Sequence, residues 1–305
     1  MWTTAVSYGG LGRAVIIGAA LVVLVLPPVV VSLATDTPAA SAAVPTEAIA
    51  LVVCAPGYPG NTEDAQPAMD ALAGTVAEAA GWAGTRLTAT YHPTVAAGRT
   101  QLAETASALA LVPFSFYWAH GDGLRLRPLL QVERDHGTTD TWSLVARRGR
   151  VTRPADLLDW EITGLPAHAP GYVHGPVLSH WGALPGSTRI TFTARILAAL
   201  RRAAAGDDVA VLLDRAQHTA VAALPFGDDL EVVTQSPELP GFVLCVVDGR
   251  LEDEDVHALQ RGLVALHKNK EGREILASIR MVRFRPLDEQ ALSRHVPLPA
   301  ENTDR

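Results

Sequence analysis

The chain has 305 residues, a formal net charge of −7 and an aromatic content of 6%. An acidic chain with no basic tract and few aromatic side chains lacks the charge and the stacking surface that nucleic-acid binding requires. Its length allows two lobes with separate cores. Cys54 and Cys245 each lie in an apolar, strand-like run. This predicts two buried thiols, or alternatively one disulfide, which an exported protein would permit.

The first 42 residues have the pattern of an export signal. Arg13 is followed by an uninterrupted apolar run at 14–26, and small residues precede cleavage points after Ala34 and Ala42. Counted through Ala34, the apolar stretch is also just long enough to cross a bilayer. We therefore predict a cleaved signal peptide and linker at 1–42, with an uncleaved N-terminal anchor as the alternative.

The segment after this leader alternates strands with helices. Continuous apolar runs predict buried strands, and apolar residues at helical spacing predict the helices between them. This β-α-β-α-β order predicts a parallel sheet with right-handed crossovers, and ligands bind beyond the carboxyl ends of such strands. The predicted strands are 49–53, 86–91 and 108–112, and the predicted helices run from Pro67 to Gly81 and over 95–106.

The C-terminal part has a distinctive order of features. A proline-rich turn, Ser236-Pro237-Glu238-Leu239-Pro240, precedes an apolar strand at 242–247. A helix with an apolar stripe follows, and its start is marked by four acidic residues at 252–255, as the helix dipole favours. A short second helix at 273–279 leads into the ending Phe284-Arg285-Pro286-Leu287-Asp288.

This order and spacing resemble the phosphonate/phosphite (phosphate-like) ABC-transporter periplasmic solute-binding proteins, a family with the class II periplasmic-binding-protein fold. Segments 141–147, 151–158 and 206–214 also resemble second-lobe elements of that family. The resemblance implies an α/β fold of two lobes, each a mostly parallel sheet flanked by helices, with a hinge of two crossover strands. The implied boundaries are lobe one at 49–137 plus 225–288, lobe two at 138–224, and a C-terminal tail at 289–305.

The resemblance also implies a ligand site in the cleft between the lobes. The family has a Ser-Thr-Ser-Gly-like anion loop near the position of Gly171, but here no Ser or Thr occurs between Ala167 and Leu178. Loops at strand ends and hinge crossings supply the remaining candidates, although packing between the lobes is the alternative role for the aromatic ones. The predicted ligand-binding residues are Tyr58, Ser115, Tyr117, Thr141, Trp142, Ser143, Gly171, Tyr172 and Asp214.

The sequence contains no recognisable catalytic motif. It lacks a phosphate-binding glycine loop, a His-Glu-x-x-His pair and a Gly-x-Ser-x-Gly elbow, so we predict a protein that is not an enzyme and needs no cofactor. His168, His174 and His180 recur every six residues. This spacing does not place them as helical neighbours, and we predict no metal site.

We therefore predict an exported, periplasmic or extracytoplasmic receptor that captures a small molecule by hinge closure. The family's ligands are phosphonate-like or phosphate-like anions, its partner is an ABC permease in the inner membrane, and we expect a monomer. The alternative is a membrane-tethered sensory or interaction module with the same fold and no transport role. The changed loop at Gly171 and the long apolar N-terminus motivate this alternative.

Overall fold

The computed structural model describes residues 48–294. The predicted signal peptide or anchor at 1–42 lies outside the described residues, as does the end of the predicted tail, 295–305. Within 48–294, no helix combines the length and the apolar character needed to cross a membrane.

Strands and helices alternate along most of the described chain. In chain order the strands are β1 (Ile49–Cys54), β2 (Leu87–His92), β3 (Ser107–Pro113), β4 (Leu126–Glu133), β5 (Thr139–Asp140), β6 (Ser143–Arg147), β7 (Glu161–Gly164), β8 (Arg189–Phe192), β9 (Val209–Leu213), β10 (Leu230–Gln235), β11 (Leu239–Pro240), β12 (Phe242–Val247) and β13 (Arg283–Pro286). The helices are α1 (Thr62–Ala79), α2 (Val95–Ala103), α3 (Phe114–His120), α4 (Pro170–Tyr172), α5 (Ile196–Ala205), α6 (Arg215–Val221), α7 (Asp253–Ala265), α8 (Lys270–Ser278) and α9 (Glu289–Ser293).

Lobe one is built on a six-stranded sheet in the order β13-β4-β12-β3-β1-β2. Strands β1, β2 and β3 are parallel, as the β-α-β-α-β pattern predicts, whereas β12 runs antiparallel between β3 and β4. Every residue of β3 and β12 is buried, because helices cover both faces of the sheet. Apolar residues of α1, α7 and α8 pack on one face, and those of α2 and α3 pack on the other.

Helix α1 begins one turn earlier than Pro67 suggests. The side chain of Asn61 caps it by accepting a hydrogen bond from the Asp64 N–H at 2.8 Å. An asparagine cap satisfies an otherwise unpaired backbone donor, so this local interaction fixes the start of the helix. The preceding loop, 55–60, is thereby held at the carboxyl end of β1.

Lobe two is built on a five-stranded sheet in the order β10-β6-β9-β7-β8. Strand β10 pairs antiparallel with β6 over Leu230 to Gln235. The predicted end of lobe two at residue 224 therefore needs correction, since the sheet of this lobe continues through Gln235. The chain leaves lobe one after β4 and returns to it only after β10.

Two short crossover strands connect the lobes. Strand β5, on the outward crossing, pairs antiparallel with β11, on the return crossing. Two further hydrogen bonds join the crossings: the Thr139 hydroxyl donates to Glu238 at 2.7 Å, and the Thr141 hydroxyl accepts from the Gln235 amide at 3.2 Å. The predicted hinge of two crossover strands thus corresponds to an observed two-stranded ribbon.

Cys54 and Cys245 are free, buried thiols. Both belong to the apolar cluster on the α2 and α3 side of the first sheet. Burial raises the pKa of the Cys54 thiol to about 12 and raises that of Cys245 as well. The structure thus has two buried thiols, the first of the two predicted alternatives, and no disulfide joins them. Each thiol behaves as a small apolar side chain.

Candidate functional site

A cavity of about 580 Å³ lies between the two lobes. Lobe one contributes the 57–59 loop after β1 and Arg134 after β4. Lobe two contributes the N-terminus of α5 and Asp214 at the end of β9. The cavity has the size of a small-molecule site, and it lies beyond the carboxyl ends of β1 and β9, where open α/β sheets bind ligands.

The walls of this cavity carry mostly positive charge. The described residues contribute one carboxylate to them, that of Asp214, together with four arginines. Within residues 48–294, none of the four guanidinium groups forms an ion pair with a carboxylate. An excess of positive charge in a recessed site attracts small anions. The four arginines are Arg134, Arg195, Arg201 and Arg280.

The N-terminus of helix α5 forms one wall. Ile196, Leu197 and Ala198 line the cavity, and backbone N–H groups in the first turn of a helix have no acceptor within that helix. Arg195 is the N-cap residue, and its side chain forms no capping hydrogen bond. A positive side chain at the positive end of a helix dipole is unfavourable by itself. Together, these N–H groups and the guanidinium form a site suited to an oxyanion.

Tyr58 forms the wall on the lobe-one side. Its ring meets Phe242 edge to face, with centroids 5.5 Å apart, and its side chain is hydrogen-bonded to Arg134. The guanidinium carbon of Arg134 lies 5.7 Å from the centroid of Phe242. Burial raises the pKa of Tyr58 to about 12, even though Arg134 lowers it. The phenol therefore keeps its proton at neutral pH and can donate a hydrogen bond to an anion.

Asp214 is held in place by the first turn of α6. Its carboxylate accepts from the Gln217 N–H at 2.7 Å, and the Gln217 side chain accepts from the Asp214 N–H at 3.2 Å. Burial raises the pKa of Asp214. Asp214 and Gln217 both line the cavity. Their capping box therefore holds the Asp214 carboxylate and the Gln217 amide beside the arginines.

The loop that corresponds to the family's anion loop is covered by aromatic side chains. Trp118 of α3 lies against Gly171, where an added Cβ atom would approach the indole to 3.1 Å. Tyr172 is buried and lies edge to face against Phe114 and Trp118, at 5.9 and 6.0 Å between centroids. Its hydroxyl is hydrogen-bonded to the side chain of Trp142. Phe114, from α3 of lobe one, therefore takes the packing role that the sequence left open, because it packs into the apolar cluster of lobe two.

Ser115 and His168 form a polar contact across the lobes. The hydroxyl of Ser115, in α3, lies 3.1 Å from Nε2 of His168, in lobe two. Burial lowers the pKa of His168 to about 4, and the neighbouring His120 lowers it further. The imidazole is therefore neutral at physiological pH and supplies either a donor or an acceptor to the serine.

This buried histidine should make stability depend on pH. The pKa of His168 is about 4 in the folded protein, against about 6.5 for an ordinary histidine. Between these values the unfolded chain binds a proton that the folded protein excludes. We expect the free energy of unfolding to fall as the pH drops from 6.5 to 4, by at most about 3 kcal/mol from this group.

Urea denaturation of the wild type and of His168→Gln at several pH values measures this effect. The variant should show a flatter profile, with a remaining slope from His92 and His120, whose pKa values are also lowered by burial. His174→Gln alters an exposed histidine six residues later and serves as the control. Identical slopes for the wild type and His168→Gln would contradict the prediction.

The structure places Tyr58 and Asp214, of the nine predicted ligand residues, in the walls of the cavity. Thr141 and Ser143 are buried, and each accepts a hydrogen bond from the Gln235 amide at 3.2 Å. The remaining residues pack at the junction of the lobes. Seven of the nine predicted residues thus lie outside the walls of the cavity, and a ligand role for them stays a prediction. They are Ser115, Tyr117, Thr141, Trp142, Ser143, Gly171 and Tyr172.

The sequence-based prediction missed the arginines of the cavity. Arg134 directly follows a strand that leads to the hinge, and that position was a usable signal. Arg195 was a second signal, because a basic residue at a helix N-terminus runs against the dipole preference. Arg201 carried no such signal, since it lies in the pair Arg201-Arg202 within a helix, where basic residues are common.

The three evenly spaced histidines have different surroundings. His168 contacts Ser115, His174 is exposed, and Nε2 of His180 lies 3.2 Å from the hydroxyl of Thr234. Among residues 48–294, no group of three or more His, Cys, Asp or Glu side chains is arranged to hold a metal ion.

The sequence matches a known protein family. Residues 61–292 match the family described as "ABC transporter, phosphonate, periplasmic substrate-binding protein", which covers more than half of the chain. The chain belongs to this family. No curated protein matches its sequence. Members of this phosphonate-type family capture solutes for ABC importers and form a non-enzymatic class, so the chain is an extracytoplasmic solute-binding protein with an ABC permease as its partner.

Solved structures share the two-lobed fold. A Xanthomonas citri protein bound to a chloride ion gives a TM-score of 0.64 at 15% identity, covering 82% of this chain and 96% of its own. A binding protein of an ABC phosphonate transporter from Pseudomonas aeruginosa gives 0.58 at 15%, covering 81% and 83%. PhnD1 from Prochlorococcus marinus, in complex with methylphosphonate, gives 0.56 at 13%, covering 82% and 96%. At these identities the likeness establishes the class II periplasmic-binding-protein fold.

Proposed function

We propose that this phosphonate-type solute-binding protein captures an anionic solute at the arginine-lined cavity. The observation that carries this proposal is the set of four arginines, without carboxylate partners in the described chain, around the N-terminus of α5. The relatives from Prochlorococcus marinus and Xanthomonas citri hold methylphosphonate and chloride, which are both anions. The ligand group that fits here is a phosphonate, a phosphate or a similar oxyanion.

The proposed site uses a different set of donors from the family's hydroxyl-rich loop. In place of serine and threonine hydroxyls, guanidinium groups and the first turn of α5 would hold the oxyanion. Charge-assisted hydrogen bonds from arginine are stronger than those from neutral hydroxyls. The proposed ligand-binding residues are Tyr58, Arg134, Arg195, Arg201, Asp214 and Gln217.

The mechanism that we propose is hinge closure at the β5 and β11 ribbon. Tyr58 and Arg134 belong to lobe one, whereas Arg195, Arg201 and Asp214 belong to lobe two. A ligand that contacts both sets binds the closed form more tightly than the open form, and so it shifts the population toward closure. The closed form would then dock on the permease, with no chemical change to the solute.

Two neighbouring arginines of α5 test this proposal. Arg201 lines the cavity, whereas Arg202 pairs with Glu161 at 3.1 Å and with Asp207 at 3.1 Å. We expect Arg201→Gln to weaken methylphosphonate binding by roughly 10- to 100-fold, because a hydrogen bond to a charged group contributes about 1.5–3 kcal/mol. Arg202→Gln removes the same charge from the same helix outside the cavity.

Isothermal titration calorimetry with methylphosphonate, phosphate and sulfate provides the readout. Binding in the wild type and in Arg202→Gln, with a clear loss in Arg201→Gln, supports the proposed site. Equal affinities in the two variants would place the anion elsewhere. If none of the three anions binds the wild-type protein at millimolar concentration, the proposed oxyanion ligand is wrong.

We also propose that the mature protein is an exported monomer. The signal peptide at 1–42 lies outside the described residues, so its cleavage needs a direct test. Membrane fractionation with N-terminal sequencing separates the two forms: a soluble protein that starts after Ala34 or Ala42 is the transport receptor. An intact N-terminus in the membrane fraction favours the tethered sensory or interaction module.

A further inference from the structure

A second cavity, of about 360 Å³, lies in lobe one beside the interlobe cavity. The walls of both cavities include Tyr58, Pro59, Arg134 and Arg280. The second cavity extends from these shared residues into the space between the first turns of α1 and the segment 278–281 after α8. The two cavities are therefore adjacent, and these four side chains form the wall between them.

The second cavity is walled mainly by apolar side chains. Val53, Met69, Phe242 and Met281 line it, and all four are buried in lobe one. An empty apolar cavity of about 150 Å³ already accepts a benzene molecule. A cavity of about 360 Å³ therefore has room for an aromatic ring or a short alkyl chain.

Small residues on α1 create this space. Ala65 and Ala68 line the cavity on the inner side of the helix, where the neighbouring Met69 and Leu72 enter the core. Protein interiors are normally close-packed, and cavities larger than a few water molecules are rare. A cavity of this size beside the interlobe cavity is therefore larger than imperfect packing of the lobe-one core would leave.

The shared wall divides the two environments by polarity. Arg134 contacts both: its guanidinium is hydrogen-bonded to Tyr58 beside the basic cavity, and it also lies over the Phe242 ring, which lines the apolar one. Asp64 reaches the apolar cavity, but its carboxylate accepts a hydrogen bond from the Asn61 amide at 2.6 Å. Arg134 and Tyr58 thus supply polar groups at the wall that the two cavities share.

From this geometry we propose that the solute is an amphiphilic organic anion. Its anionic group occupies the arginine-lined cavity, and its aryl or short alkyl group occupies the second cavity between α1 and α8. This inference rests on the proposed oxyanion site and adds the substrate class: an organophosphonate or organophosphate with an apolar substituent, in preference to inorganic phosphate or methylphosphonate.

Calorimetry with methylphosphonate, phenylphosphonate and n-hexylphosphonate on the wild-type protein tests the substrate class. The three probes share one headgroup and differ only in the apolar part. We expect phenylphosphonate or hexylphosphonate to bind about 10- to 100-fold more tightly than methylphosphonate, because burial of the larger apolar group is favourable and the cost of ordering it offsets only part of this gain.

Two phenylalanine substitutions on α1 locate the apolar group. Ala68→Phe fills the second cavity and should abolish the preference for the longer probes while methylphosphonate still binds. Ala71→Phe places the same side chain on the exposed face of the helix and should keep the preference. Thermal unfolding of each variant verifies that it is folded.

The outcomes separate this inference from the proposed function. If all three phosphonates bind the wild type equally well, the anion site stands and the amphiphilic substrate class is wrong. If the preference survives Ala68→Phe, the apolar group binds elsewhere and the second cavity is not its site. If no phosphonate binds, the proposed oxyanion ligand itself fails, and this inference fails with it.

Discussion

A Gly57→Val protein is expected to bind methylphosphonate roughly 10- to 100-fold more weakly than the wild type. Gly57 lies in the loop after β1, and a Cβ atom there would approach Leu165 to 2.6 Å and Phe192 to 2.9 Å. Both of these residues belong to lobe two. Overpacking of this kind costs about 1–3 kcal/mol, and here the cost falls on the arrangement in which the 57–59 loop contacts lobe two.

The control for this experiment is Gly149→Val. Gly149 lies in a turn of lobe two with φ +75°, close to the φ of +79° at Gly57, but no atom lies within 4 Å of its added Cβ. Both variants therefore carry similar backbone strain in the left-handed region, and only Gly57→Val presses on the other lobe. A comparable loss of affinity in the two variants would attribute the effect to strain and not to closure. Calorimetry with methylphosphonate measures the affinities.

A second large effect is expected from Gly262→Val, which should destabilise lobe one by roughly 3 kcal/mol. Gly262 lies on α7 where that helix crosses the end of α1. A Cβ atom there would clash with the carbonyl oxygen of Ala79, which is main chain and cannot rotate away. The two helices must separate, and they would then lose apolar contacts over their shared face.

The matched control is Gly74→Ala, in the middle of α1. No atom lies within 4 Å of an added Cβ at Gly74, so the substitution removes only backbone freedom. It should stabilise the protein by about 0.5–1 kcal/mol through helix propensity. Urea denaturation followed by circular dichroism gives both values. Similar midpoints for Gly262→Val and the wild type would show that the helices can part at little cost.

Local sequence patterns predicted most of the secondary structure. Apolar runs of strand length became buried strands because the sheet of lobe one is covered on both faces. The acidic residues at 252–255 mark the start of α7 as the dipole requires, since Asp253 to Asp255 form its first turn. These features depend on interactions between residues close together in the chain, so they can be predicted from a single sequence.

The position of β10 shows where local patterns were insufficient. Residues 230–235 have the character of a strand, but the sheet that a strand joins depends on its partner far along the chain. The partner is β6, more than 80 residues earlier, and this pairing places β10 in lobe two. The predicted boundary near residue 225 treated the strand as part of the return to lobe one. Only the register with β6 reveals the error.

The loop at Gly171 illustrates the same limit for the site. Its lack of serine and threonine was visible in the sequence, and it indicated a changed donor set. What fills the space was not visible, because Trp118 and Phe114 come from a helix of the other lobe. The family's residue pattern therefore located the cleft but not the polar groups that line it.

The sequence by itself determined the family, because the order and spacing of its elements match those of the family, and the resemblance implied the two-lobed fold and the hinge. The tertiary structure decided which side chains line the cavity between the lobes. Arg134 and Arg195 are 61 positions apart in the sequence, and only the packing of the two lobes against each other brings them to one cavity. The direction of a side chain depends on packing between distant segments, and no local pattern records it.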